Sequence, residues 1–253
     1  MYTMSNISPD MTSPDMTGAL SVAGVRHGVG PLATERVLPV PHSCAGLFPE
    51  GGLVRGRTLA CVGPAARSLG FALLAPSVAA GAWVAAVDLA DLGVEAMTEA
   101  GVPLQRVIRV DAAAGGADAA RWAERVGATL DGFEVVLLPD RRLPDGLWRR
   151  LVQRVRSTGA VVIVLAPSSP ALAVDTVVVT DRPGWVGVGR GTGRLLGRRV
   201  EVVRDGRRSP RRLAAQLWLP HPAGRPLVAG NPGAGDTDAG ETDEAEGRWR
   251  RAV

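Results

Sequence analysis

Apolar, β-branched runs recur along the middle of the chain: TLACV (58–62), WVAAVDL (83–89), RVIRV (106–110), EVVLL (134–138) and AVVIVLA (160–166). The strongest are near-continuous in apolar residues rather than alternating. An alternating strand keeps one face in water. A strand apolar at every position needs cover on both faces, the condition inside a mostly parallel sheet. Helix-like segments lie between most of the runs. In LWRRLVQRV (147–155), Leu147, Leu151 and Val155 recur every four residues, with Trp148 and Val152 beside them and Arg149, Arg150, Gln153 and Arg154 facing away. Asp118–Leu130 carries a similar stripe through Trp122, Val126 and Leu130. Strand alternating with helix predicts an α/β fold with right-handed crossovers.

The longest apolar stretch, Leu69–Leu89, contains Pro76 and Gly81 and reaches Asp88. It reads as a helix, a turn and a strand, not as the roughly 20 uninterrupted residues of a membrane span. After Ala166 the pattern changes. VDTVVVTDR, WVGVGRGTGRL, RRVEVVRDGRRSPRR and LAAQLWL read as short strands broken by Gly, Asp-Gly and Pro turns, an antiparallel extension of the sheet. Residues 1–30 and 221–253 have no periodicity and are rich in Ser, Thr, Pro, Gly and Asp, which predicts disorder. The domain is therefore expected over 31–220, and the C-terminal tail is acidic until it closes on RWRRAV.

Composition removes several chemistries. All 29 Lys+Arg are arginine, so no Schiff-base lysine, lysine base or P-loop lysine exists. The two cysteines, Cys44 and Cys61, and the three histidines, His27, His42 and His221, lack metal-ligand spacing, so no metal is expected. The N-terminus has no basic region leading into an apolar one, so the chain is expected in the cytoplasm, without a membrane. A pI near 10.2 is compatible with nucleic acid as a partner.

The turn after the first run reads GPAARSLG (63–70). A phosphate-binding loop is written G-x-x-x-x-G-K-[ST], with backbone N–H groups around the β-phosphate, lysine on the outer oxygens and the hydroxyl on magnesium. Aligned on Gly63, this turn has Arg67 before Ser68 at the second glycine, Leu69 at the lysine and Gly70 at the hydroxyl position. On its own it is either an ordinary strand–helix turn or a decayed phosphate loop, at which Arg67 could draw an anion to the helix N-terminus.

Its flanks bear on that choice. LFPEGGLVRGRTLACVGP resembles the RecA segment entering its phosphate loop. AVDLADLGVEAMTEAGVPLQRVIRVD resembles the second strand with the helix and strand after it, and RRVEVVRDGRRSPRRLAAQLWL the closing hairpin. The likeness runs from about Leu47 to Leu219. The catalytic positions depart from it. Ala90 stands two residues after Asp88 where RecA has a glutamate, and EVVLL runs into Pro139 with Asp140 one residue late. There is no room for long DNA-binding loops after Pro139 or after Ala166.

This combination is similar to the ImuA family, in particular its ImuA-prime branch. The resemblance implies a RecA-like core with no cofactor and no catalysis, an accessory protein of damage-induced translesion synthesis. It implies as partners an ImuB-like inactive Y-family polymerase relative and an error-prone C-family polymerase, with presence at the nucleoid during DNA damage. A monomer or small oligomer is expected. Two other readings stay open: a SulA-like inhibitor of the cell-division GTPase, and an ATP-dependent RecA-like DNA-binding protein.

Arginines crowd the stretch 182–212. Arg190, Arg194, Arg198, Arg199, Arg207, Arg208, Arg211 and Arg212 are candidates for contact with a partner or non-specifically with DNA, beside Arg182 and Arg204. They also suit a solvated hairpin. Trp185, between glycines, and Trp249, in the tail, belong to no core stripe and are candidate anchors. Asp88 and Asp140 read as strand-end aspartates rather than a metal pair.

Overall fold

The computed structural model describes residues 36–116, 118–188, 192–206 and 212–221. Its main sheet has eight strands. The five apolar runs form β3 (Thr58–Val62), β4 (Val84–Val87), β5 (Val107–Val110), β6 (Val135–Pro139) and β7 (Val161–Ala166), and two strands at the entry, β1 (Val37–Leu38) and β2 (Leu53–Val54), pair as a separate ribbon. The chain continues into β8 (Thr176–Val188), β9 (Gly193–Gly206) and β10 (Leu213–Trp218), giving the order β10-β9-β8-β3-β7-β6-β4-β5. All pairings from β8 across to β5 are parallel, and β9 and β10 add antiparallel.

The near-continuous runs are explained by two cores. In β3, Leu59 and Cys61 face one cluster while Ala60 and Val62 face the other, and β7 divides the same way. The first cluster is filled by α1 (Ala66–Ala79), whose residues from Leu69 to Val78 are all buried. A helix apolar all round must be covered all round. α2 (Val94–Glu99) packs near it through Met97, and the entry segment is tied to it where Ser77 Oγ donates to the Pro39 carbonyl at 2.7 Å. The second cluster lies under α3 (Ala119–Gly132) and α4 (Asp145–Thr158). The α3 stripe is Trp122, Val126 and Leu130 as its periodicity requires, and Asp118 caps it by accepting from Arg121 N at 2.8 Å. In α4 the buried face is Trp148, Leu151 and Val155, so Trp148 rather than Leu147 leads the stripe.

The C-terminal third differs from its expected form. Instead of several short strands, β8 and β9 are single strands of 13 and 14 residues. Register shifts between Asp181 and Gly184 and between Val186 and Val188 absorb the glycines and Pro183 that read as breaks. The first half of β8 belongs to the parallel sheet beside β3. Beyond it, β8 and β9 continue together as an arm. The tails lie outside the described residues. Among those residues, no helix is long and apolar enough to cross a membrane.

Candidate functional site

The turn after β3 is short: only Gly63, Pro64 and Ala65 separate it from α1. Gly63 has φ +100°, and a Cβ there would stand 2.3 Å from the Thr180 carbonyl oxygen. Glycine is required at this position for both reasons. The turn's donors are consumed internally. Gly63 N donates to Ala166 O at 3.1 Å, Ala66 N to Gly63 O at 3.1 Å, and Ala65 N to Thr180 Oγ1 at 3.0 Å. Pro64 has none to give. The buried Thr180 hydroxyl in turn donates to Val62 O at 2.9 Å. A phosphate cradle presents successive N–H groups outward; here those of Gly63, Ala65 and Ala66 are bonded within the fold.

Leu69, at the lysine position, is fully buried in the α1 core. Gly70 is as tightly placed, since a Cβ would lie 2.7 Å from Leu165 Cδ2. Ser68 keeps its hydroxyl, which accepts from Arg198 Nη2 at 2.9 Å. Arg198 Nη1 donates to Pro64 O at 3.2 Å and its Nε to Leu219 O at 3.0 Å. The guanidinium stacks over Trp185 at 4.9 Å, and burial lowers its pKa below the ordinary arginine value. One side chain of β9 thus ties together the turn, the start of α1, the exit from β10 and the arm. Arg67 faces outward and donates to Asp91 O, with the Asp91 carboxylate at 3.9 Å.

The strand-end carboxylates staple loops. Asp88 accepts from Ala112 N at 2.8 Å, from Ala113 N at 3.1 Å and from the indole N–H of buried Trp122, and Asp140 accepts from Ala171 N at 2.9 Å. Both cysteines are buried, and burial pushes the Cys44 thiol up to about 12.

The arm is the opposite kind of surface. Trp185, Val188, Leu195 and Leu196 are 43%, 60%, 56% and 42% exposed, though all four are large apolar residues. Arg194, Arg199 and Arg212 are exposed as well. Alternation along β9 divides the arginines: Arg198 goes to the α1 face, while Arg199 lies with Arg182, Glu201 and Gln216 around a shallow recess. Arg182 pairs with Glu201 at 3.2 Å. Arg204 leaves the surface set altogether. It is 6% exposed, donates to both carboxylate oxygens of Glu50 at 2.9 Å and to Leu47 O at 2.8 Å, and so fastens β9 to the entry segment. Arg190, Arg207, Arg208, Arg211 and Trp249 lie outside the described residues.

Sequence reasoning missed Thr180 and Asp175, and placed Arg204 with the surface arginines although it is buried. Asp175 accepts from Thr58 N and Oγ1, both at 3.0 Å, and pairs with Arg57 at 3.3 Å. These partners are more than a hundred residues apart in the chain, so no local signal could have joined them.

Comparison with known proteins agrees with this architecture. The family model described as the MT3502 N-terminal domain matches residues 46–171. That span begins before β2 and ends after β7, so the arm lies beyond it. Among solved structures, the crystal structure of the RadB recombinase is similar at a TM-score of 0.51 and 16% identity, covering 69% of this chain and 92% of that one. No curated protein sequence matches. The fold is RecA-like.

Proposed function

We propose that this protein is a non-catalytic adaptor in damage-induced, error-prone translesion DNA synthesis. It docks on an ImuB-like inactive Y-family polymerase and an error-prone C-family polymerase, through the portion from Trp185 onward. The reading joins the sequence resemblance to one structural observation: a RecA-like fold whose phosphate turn is sealed by Thr180 and held by Arg198, with Leu69 in the core. Phosphoryl transfer depends on positioning and on charge stabilisation by loop N–H groups, a cation and a metal-binding hydroxyl. A turn that spends its donors on the fold, with no lysine in the chain, supports binding rather than turnover. The exposed tryptophan and arginines of the arm are the residue types that dominate interface energies.

Co-purification from damage-treated cells tests the reading. The expected partners are the inactive polymerase relative and the C-family polymerase, lost when Trp185 and Arg194 are replaced by alanine. In the same cells, deletion of the gene is expected to lower damage-induced mutation without slowing undamaged growth. Normal mutation after damage, together with a failure to arrest division, would replace this reading with the division-inhibitor one. Calorimetry with ATP–magnesium is expected to give no micromolar binding; such binding would exclude the adaptor reading in this form.

A further inference from the structure

Between Arg182 and Val200 the chain carries five arginines and no Asp or Glu, and the arm formed there leaves four large apolar side chains exposed. The chain leaves the described fold beside this arm. Trp218 pairs with Arg199, Leu219 N donates to Arg198 O at 2.7 Å, and Arg198 N donates to Pro220 O at 3.1 Å. Its last described residue, His221, stands edge-on to Trp218 with ring centroids 6.1 Å apart. After a linker of about fifteen residues, which reaches up to about 50 Å, comes the acidic segment DTDAGETDEAE (236–246) with Asp236, Asp238, Glu241, Asp243, Glu244 and Glu246. The arm extends only about 10–15 Å past that exit at the rise of a β-strand.

We propose that the arm is the docking site of this chain's own acidic segment, 236–246, which covers the exposed β8–β9 surface in cis. Charge complementarity selects the occupant, and the exit point supplies the proximity. A tether of this length holds the segment at an effective concentration on the order of millimolar, far above that of a dilute competitor in trans. An external partner then gains the arm by displacing the segment. This adds a regulatory step to the docking surface assigned above, yet it concerns the arm and tail alone and holds whatever the partner is.

The test is a double-mutant cycle on the full chain, read with a labelled oligo-dT of about twenty nucleotides as a polyanion probe at about 50 mM salt. One change neutralises the six acids (Asp→Asn, Glu→Gln). The other replaces Arg182, Arg194 and Arg199 by glutamine. Neutralising the tail is expected to tighten oligo-dT binding about tenfold or more in the native arm background and less than about twofold in the arginine-depleted one. Equal effects in both backgrounds would mean that only net charge matters, and no effect in the native background would mean that the segment lies elsewhere; either overturns the proposal. A measurement without variants guards against misfolding: amide exchange of Trp185–Val188 and Arg194–Arg199 is expected to speed up several-fold between about 50 and 500 mM salt, while that of β7 stays constant. Unchanged arm exchange also overturns the proposal. Loss of polymerase co-purification with a positive cycle would sink the adaptor reading and leave this one standing.

Discussion

The turn after β3 and the β8–β9 arm are joined by Arg198, yet they treat their surfaces in opposite ways. At the turn the donors of Gly63, Ala65 and Ala66 are satisfied within the fold, and Leu69 and Gly70, at the lysine and hydroxyl positions, are buried. On the arm, apolar side chains remain in water although the same strands are well buried elsewhere along their length. Interior polar groups left unpaired are costly, so a turn without a ligand must find protein partners for them or destabilise the fold. No comparable force removes apolar residues from a surface except aggregation, so an exposed apolar cluster among arginines is the kind of surface on which a docking proposal can be built. The turn thus holds its polar groups within the fold, while the arm leaves large apolar side chains and arginines at the surface, the contrast on which the adaptor proposal rests.

The comparison is broken most directly at Gly63. Gly63→Ala forces a side chain into a left-handed conformation and onto the Thr180 carbonyl, and should cost on the order of 3 kcal/mol or more, with a matching fall in Tm. A neutral result would mean that the turn is adaptable. Leu69→Lys comes next. A functional loop would gain ATP affinity from it, whereas a sealed one gains a buried charge, about 2–4 kcal/mol of destabilisation in urea unfolding and no binding by calorimetry. Arg198→Ala sharpens the link between the two regions. Losing three charge-assisted donors should cost about 1–3 kcal/mol, and amide exchange should accelerate in the arm and in the first turn of α1 together. Acceleration in the arm alone would show that the turn does not depend on it.

The smallest effect is at the far end of the sheet. Hydrogen bonding from Arg204 holds the Glu50 carboxyl below the usual glutamate range. A depressed pKa contributes stability that is complete above the unfolded value and is lost as pH falls through the folded one. Glu50→Gln should therefore remove under about 1 kcal/mol near neutral pH, given its partial exposure, and nothing at strongly acidic pH. A difference that persists in acid would assign the effect to packing.

The parallel core was legible because its constraint is local. β3, β4, β6 and β7 are buried on both faces, and that demand is written in consecutive residues. Helices α3 and α4 carried their stripes for the same reason, although Trp148, whose indole donates to Ala173 O at 2.7 Å, was drawn to the buried face by a contact outside the helix. The antiparallel extension was legible, but its strand lengths were not, because Gly184, Gly187 and Gly193 normally punctuate strands and here two irregularities let pairing continue past them. The vacant lysine position was visible in the sequence. The groups that hold the turn were not, because Thr180 and Arg198 reach it from strands brought alongside only by folding.

The sealed turn has a consequence for mutational paths. Building a phosphate seat here would need a longer loop, a smaller or absent hydroxyl at Thr180, a withdrawn Arg198, and a lysine whose position does not point into the core. Each change alone removes a contact or buries a charge before any nucleotide contact repays it. Single substitutions therefore lead downhill in stability, and the route to such a seat is a valley several steps wide. By this topography the contacts of Thr180 and Arg198 that hold the turn also stand as a barrier to a phosphate seat there.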